Sequence, residues 1–441
     1  MTNINMKKKR KKSTAVIIER DNHNISRKQI DEDALKVLYR LKNKGYLGYL
    51  VGGCVRDMLL GLTPKDFDVV TDAHPNKIKR IFGNCFLIGR RFRLAHIVYG
   101  KNIIETSTFR REPEPDEVED NDELYQHHDN TFGTPEEDAI RRDFTINAIY
   151  YSIHDFSLID YVDGMKDMNK RIIQTIGNPA IRFQEDPVRM IRAIRFASKL
   201  DFKIEPKTYK AIVKYAEEIL KSPPSRLYED ISKLFLCSTS APAFDYLYKT
   251  KLIKYIIPEI YEFLDESQKH RDLFFSYLEA LDTKRPEFDG QEHALNYGIL
   301  FYPLFLTMQA KIKESHPETQ NYEIAKQVIN TFASHFKMPK KIFYQIVNAY
   351  DMQKRFNIGN TNKNFVKEKF TIREDFPLAF AIYKVDLLVN PGMPDYTKMW
   401  EDVCKKHPPI PEERRRKSNS RNRRPRNNNR KFTNKKPTQN K

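Results

Sequence analysis

The stretch LVGGCVRDMLLGLTPKDFDVVTD, residues 50–72, limits the folds open to this 441-residue chain more than any other segment. YLGYLVGG reads as a strand that ends on a glycine pair, a helix starts at Cys54-Val55-Arg56-Asp57, and DFDVVTD reads as a second strand. Side chains alternate faces along a strand, so Asp66 and Asp68 are expected on one side with Phe67 turned to the core. Two carboxylates that close repel each other unless a cation lies between them, so the pair implies Mg²⁺ ligation. A further β-type run, IIETSTFR, supplies Glu105 as a third carboxylate for the same edge. Two ions held in this way activate an attacking hydroxyl and stabilise a departing pyrophosphate. Gly52 and Gly53 let the backbone approach a triphosphate, and Arg56, one turn into the helix, adds a fork of donors. A lone DxD is often a surface pair and a lone GG often a tight turn. Their succession within seventeen residues, Gly52 to Asp68, is far more specific.

Downstream, EDPVRMIRAIRFASKL (185–200) predicts a helix with Asp186 as N-cap and Pro187 at the first helical position. At 100° per residue Met190, Ile191, Ile194 and Ala197 share one face, with Arg189, Arg192 and Arg195 on the opposite one. An arginine stripe of this kind is often only a solvated face. Upstream, RRDFTIN places Arg142, Asp143 and Asn147 near another helix start.

Around these motifs the organisation is α+β: a small mixed β-sheet head followed by an elongated all-helical neck and body. The expected parts are a disordered basic arm over 1–26, a catalytic head over 27–180, a helical neck over 181–240, a helical body over 241–410 and a disordered basic tail over 411–441. Residues 111–130 are acidic and without periodicity, which reads as a flexible loop inside the head. His127-His128 within it has no third ligand at a fixed spacing and reads as solvated loop. His96 in LAHIVYG is assigned to a buried strand position. Helical patterns run from about residue 181 to 406, and the aromatics Phe274, Phe275, Tyr277, Tyr302 and Phe305 read as core rather than base-stacking platforms.

The net charge of +18 is concentrated at the ends. KKKRKK at 7–12 holds six of the basic residues and Arg414 to Lys441 holds thirteen with no acid, which leaves residues 13–413 close to neutral. Flexible basic arms attract polyanions by counterion release, without sequence preference and in a salt-dependent way. The four cysteines are far apart and lack metal-ligand spacing, which argues against a disulfide framework or zinc site and fits a reducing cytoplasm. No stretch approaches 18 apolar residues, so no membrane partner is expected.

LVGGCVRDMLLG…KDFDVVTD resembles the head motif of the class II polynucleotide nucleotidyltransferases, the bacterial poly(A) polymerases and CCA-adding enzymes. The resemblance continues through IIETSTFR, EEDAIRRDFTINAIYY, EDPVRMIRAIRFASKL and PPSRLYEDISKLF, and so covers roughly residues 45–260. It implies that Asp186 and Arg189 pair with the Watson–Crick edge of an incoming base in place of a template. It also implies that Arg192 and Arg195 contact the nucleotide, and that Arg142 and Asp143 belong to the ribose–phosphate part of the pocket. Asp143 is open to a second role at the catalytic centre. GRRFRLAH (89–96) resembles the poly(A) form of the family, with Arg90, Arg91 and Arg93 as grips for RNA or triphosphate oxygens. The resemblance thus implies template-independent addition of AMP from ATP to RNA 3′ ends, of mRNA fragments or tRNA, with two Mg²⁺ ions. The alternatives are a CCA-adding or A-adding tRNA enzyme and an inactive RNA-binding protein. The last is disfavoured by the presence of Asp66, Asp68, Arg56, Asp186 and Arg189 together.

Overall fold

A computed structural model describes residues 15–89, 94–112, 131–236, 238–287, 292–361 and 365–410. The chain divides into two compact units, one running to Phe275 together with His335–Lys337, the other holding Ser276–Ser334 and the residues from Met338 onward. The fold is α+β, as the sequence predicts. No helix of the described residues is long and apolar enough to cross a membrane.

The first unit is built on an eight-stranded mixed sheet. Its strands are β1 (Val16–Ile18), β2 (Gly48–Val51), β3 (Asp68–Thr71), β4 (Cys85–Ile88), β5 (Leu94–Tyr99), β6 (Asn102–Thr108), β7 (Ile149–Ser152) and β8 (Leu158–Asp160), in the spatial order β1-β8-β7-β2-β3-β6-β5-β4. Only β3 and β6 run parallel; the other neighbours are antiparallel. Two strands depart from expectation. Residues 15–26, assigned to a disordered arm, instead supply β1, which pairs with β8 from Val16↔Asp160 to Ile18↔Leu158. β4 falls in the segment NCFLI, whose apolar residues escaped notice because its alternation lasts only four positions.

Helix α1 (Glu32–Asn43) forms because Asp31 caps it, accepting from the backbone N–H of Asp33 and Ala34 at 2.9 and 3.1 Å, and because Ala34, Val37, Leu38 and Leu41 make one buried stripe. Helices α2 (Gly53–Leu59), α3 (Pro75–Ile81), α4 (Pro135–Arg141) and α5 (Gly164–Lys170) connect strands. A capping box between Thr134 and Glu137 fixes the start of α4. α6 (Pro179–Glu185), α7 (Arg189–Leu200), α8 (Pro206–Lys214) and α9 (Pro224–Leu234) follow in the same unit. A cluster of Tyr49, Val51, Val70, Phe109, Ala139, Ala148, Tyr150 and Ile176 packs α4 against the centre of the sheet.

The second unit is helical throughout its described residues. Tyr277 and Tyr302 are buried there, and both donate their hydroxyls to Asp386, a carboxylate raised by its own burial. Phe305 is buried as well, so these three aromatics serve the core. Phe274 is likewise buried in the first unit, whereas Phe275 is only half-buried.

Candidate active site

β2 is followed directly by Gly52, whose φ of 81° is left-handed and open to glycine without strain. A Cβ built there would stand 3.5 Å from Asp68 Oδ2 and 3.7 Å from Arg142 Nη1. The glycine turn, Asp68 and Arg142 are therefore immediate neighbours. Asp68 opens β3, paired with Val51, while Asp66 lies just before the strand rather than on it. The parallel register Val69↔Thr106 sets Glu105 of β6 beside Asp68. The crowding of protein around Asp68, with the charges of Glu105 and Asp66 adding to it and Arg142 opposing, pushes its carboxyl up to about 6. That excess of negative charge at a sheet edge is what a hard cation would relieve. Among the described residues, however, no three Asp, Glu, His or Cys side chains converge to form a cage for one. Glu105 Oε1 instead faces His96 Nε2 at 3.5 Å. His96, expected in a buried position, is in fact half-exposed on that same face, because Ala95 and Ile97 take the buried one.

The arginine fork of α2 is placed differently from expectation. Arg56 is buried, donating to Asp57 Oδ1 from Nε and Nη2 at 2.8 and 2.6 Å and to Asn147 Oδ1 from Nη1 at 2.7 Å. Asn147 in turn donates to Asp143 Oδ1 at 3.2 Å, and Arg192 donates to Asp143 Oδ2 through Nε at 2.8 Å and through Nη2. A continuous polar relay, Asp57–Arg56–Asn147–Asp143–Arg192, thus ties the helix after the glycine turn to α7. Burial works against the Asp143 charge, but Arg192 outweighs it and holds the carboxyl below its usual range. Both Asp143 oxygens are engaged, since Oδ1 also accepts from the Phe144 N–H at 2.8 Å. Phe196 of α7 lies under three guanidiniums, those of Arg56, Arg192 and Arg195, with centroid distances of 5.0, 5.7 and 4.7 Å.

Helix α7 begins at Arg189, later than the expected Asp186 cap, and its N-cap is Val188. Asp186 instead closes α6 with extended backbone, so its carboxylate sits in the joint between α6 and α7. Asp186 Oδ2 accepts from Arg226 at 2.8 Å and lies 4.0 Å from Arg189 Nε, while its buried Oδ1 has no hydrogen-bond partner. Arg189 donates to the Arg182 carbonyl at 3.1 Å and to Glu185 at 3.2 Å. Arg195 Nε is buried without a partner, and burial together with the nearby Arg192 charge lowers its pKa. The arginine stripe of α7 is thus half-buried rather than a solvated face.

Asp138 and Arg182 organise the site and escaped the sequence reading. Asp138 is almost fully buried and accepts from Arg142 Nε and Nη2 (3.1 and 3.0 Å), Arg141 Nε (3.2 Å), the Tyr150 hydroxyl (2.9 Å) and the Arg110 N–H (3.2 Å). Burial opposes its charge, but Arg142 and Arg141 outweigh it and keep the carboxyl low; the same burial would lower Arg142, whose pKa Asp138 and Tyr150 raise. The spacing of Asp138 and Arg142, four apart across the end of α4, is the signal that was there to be read. Arg182 grips Glu112, Glu185 and the carbonyls of Arg141 and Arg142. Arg90, Arg91 and Arg93, expected to hold phosphates, lie outside the described residues, as does most of the 111–130 loop and both basic tails.

Two family models match the chain: "Poly A polymerase head domain" over residues 48–174 and "Probable RNA and SrmB- binding site of polymerase A" over 201–264. The poly(A) polymerase I of Salmonella typhi is 44% identical over 309 residues, covering 68% of this chain and 66% of the relative, just under two thirds of its length. The CCA-adding enzyme of Staphylococcus epidermidis is 34% identical over 234 residues, covering 52% of this chain and 56% of that one. In fold, the crystal structure of the Bacillus stearothermophilus CCA-adding enzyme in complex with CTP is similar with a TM-score of 0.59, at 24% identity, covering 85% of this chain and 82% of that one.

Proposed function

Because the chain belongs to the family of bacterial poly(A) polymerases and CCA-adding enzymes, we propose that it transfers AMP from ATP to RNA 3′ ends without a template, releasing pyrophosphate. The observation that carries this reading is the joint at Asp186. A buried carboxylate oxygen without a partner stands beside the Arg189 guanidinium, and the relay through Asp143 links the helix that begins at Arg189 to the glycine turn next to Asp68. An acceptor beside a donor suits the adenine edge: Asp186 Oδ1 accepts from the N6 amino group and Arg189 donates to N1. Arg195, with its unpartnered Nε, and Arg142 offer charge to the triphosphate. Asp143 and Arg56 are positioning residues, since each spends its polar atoms on holding its neighbours.

Asp66 and Asp68 would hold magnesium. An ion of this kind takes one or two protein carboxylates and completes its shell with substrate phosphates and water, so the absence of a third converging carboxylate among the described residues is compatible with it. Bound there, the metal would supply activation of the 3′-hydroxyl and charge stabilisation for the leaving pyrophosphate. Glu105 adds to the local negative field that raises Asp68. Adenylate is favoured over CCA as the product by the GRRFRLAH stretch and by the higher identity to the poly(A) polymerase relatives. The CCA reading keeps its support in the 34% identity to the Staphylococcus epidermidis CCA-adding enzyme.

Purified protein with Mg²⁺ and each nucleoside triphosphate in turn, on an oligo(A) primer and on tRNA lacking its terminal CCA, tests the reading. A long ladder with ATP alone on the oligo(A) primer is expected. Three additions that need CTP and ATP, confined to tRNA, would overturn it in favour of the CCA reading.

A further inference from the structure

The outer end of the sheet leaves one face open, and that face runs without a break into the candidate catalytic edge. β4, β5 and β6 are covered on the side of Cys85, Ala95, Ile97 and Ile104, all of them buried. On the opposite side Phe86 is 63% exposed, Ile88 48% and Ile103 49%. β4 is also the terminal strand of the sheet, where an exposed aromatic invites unwanted pairing and so calls for an occupant.

The strand register says where Phe86 stands. Phe86 pairs with His96, His96 pairs with Glu105, and the neighbouring Val69↔Thr106 pair sets Glu105 beside Asp68. Residues directly opposite each other on adjacent strands project to one face, as the 3.5 Å approach of His96 to Glu105 shows. Asp68, Glu105, His96 and Phe86 therefore form one row across four strands. At about 4.8 Å per strand, Phe86 lies roughly 14 Å from Asp68.

We propose that Phe86 is a stacking platform for a base of the RNA primer, upstream of the 3′ end that Asp68 acts on. The proposal rests on the reading of this protein as an RNA 3′-end transferase. With a rise of about 3.4 Å per stacked nucleotide, a strand whose end lies at Asp68 brings one of its last four or so bases over Phe86. Stacking on an aromatic face tolerates any base, which suits an enzyme that must accept each of its own products as the next primer. Ile88, two residues along β4, and Ile103, two strands away on β6, extend the exposed apolar surface of the same face. A protein partner seated on Phe86, Ile88 and Ile103 would also overlie Glu105 and Asp68, which the reaction needs open, and this favours the primer as occupant.

The test uses the full chain and its Phe86→Ala and Phe86→Trp variants with Mg²⁺, ATP and a labelled oligo(A) primer. Loss of one aromatic stack is expected to raise the primer KM about tenfold in Phe86→Ala, leave the ATP KM unchanged, and be restored in Phe86→Trp. The melting temperature should not fall, because the ring is exposed. An abasic nucleotide scanned through the last four primer positions should cost the wild type a similar factor at one position and cost Phe86→Ala nothing more there. A primer KM in Phe86→Ala equal to that of the wild type refutes the platform while leaving the transferase reading intact. If that result comes with a changed oligomeric state by light scattering, the face belongs to a protein partner instead. Should the wild type add no nucleotide at all, the transferase reading fails. The platform is then read separately by 2-aminopurine placed in the same primer positions, whose fluorescence must be quenched by the wild type more than by Phe86→Ala.

Discussion

Replacing Asp68 with Asn should stabilise the metal-free protein while abolishing transfer. The carboxyl titrates at about 6 against an ordinary value of 3.8, because protein crowding and the charges of Glu105 and Asp66 disfavour its ionised form. Two pKa units correspond to roughly 3 kcal/mol at about 1.36 kcal/mol each. The side chain is exposed to water, and screening reduces this to about 1 kcal/mol. The sign follows from proton binding: between 3.8 and 6 the folded state holds the proton more tightly than the unfolded chain, so folding stability falls as pH rises through this window. Above 6 the penalty is complete, and below 3.8 it is gone. In chelator-containing buffer near pH 7.5 the variant should melt about 2 °C higher than the wild type by scanning calorimetry, a gain that shrinks towards zero as pH approaches 4. Adding Mg²⁺ should close the gap by stabilising the wild type alone. A variant that melts lower than the wild type near neutral pH, or a gain that does not change between pH 7.5 and 4, would refute the reasoning.

Asp138→Ala leaves the half-buried Arg142 and Arg141 without their buried carboxylate, and urea unfolding should show a loss of about 3 kcal/mol. Arg195→Met removes a cation whose Nε has no partner, so the melting temperature should hold while the ATP KM rises about tenfold. Asn147→Ala and Arg192→Lys cut the same relay, and a double-mutant cycle on kcat/KM for ATP should show a coupling of about 1 kcal/mol or more rather than additivity. Deleting residues 414–441 removes thirteen basic residues, so primer affinity should drop and its salt dependence flatten with nucleotide preference unchanged.

The candidate catalytic edge is legible in the sequence because most of its signals are local. A glycine at positive φ and two acids spaced by one residue are written within seventeen residues, and Gly52 and Asp68 stand side by side in the fold, where the β3–β6 register adds Glu105. Arg56 is harder to read: Asp57 beside it takes two of its donors, an i,i+1 pairing that helix geometry does not lead one to expect, and its third partner, Asn147, lies 91 residues away. The delayed start of α7 has the same origin. Asp186-Pro187 is a sound cap by local rules, but the carboxylate gains more from Arg226, 40 residues on, than from the helix end. β1 and β4 were missed because strands of three or four residues carry too little alternation, and their stability comes from the neighbour that pairs with them.

The relay from Asp57 to Arg192 bears on how such a chain can diversify. Asp143 is neutralised by Arg192, so a change at position 192 would unbalance an acid that also holds Asn147 and, through it, Arg56 of the helix after the glycine turn. Asp186, Arg189 and Arg226 stand off that line and bind one another at a joint between helices. Substitutions at 186, 189 and 226 can therefore accumulate without touching the relay, whereas 143, 147 and 192 can move only in concert. The part that can vary freely and the coupled frame meet on α7, where Arg189 and Arg192 are separated by a single helical turn.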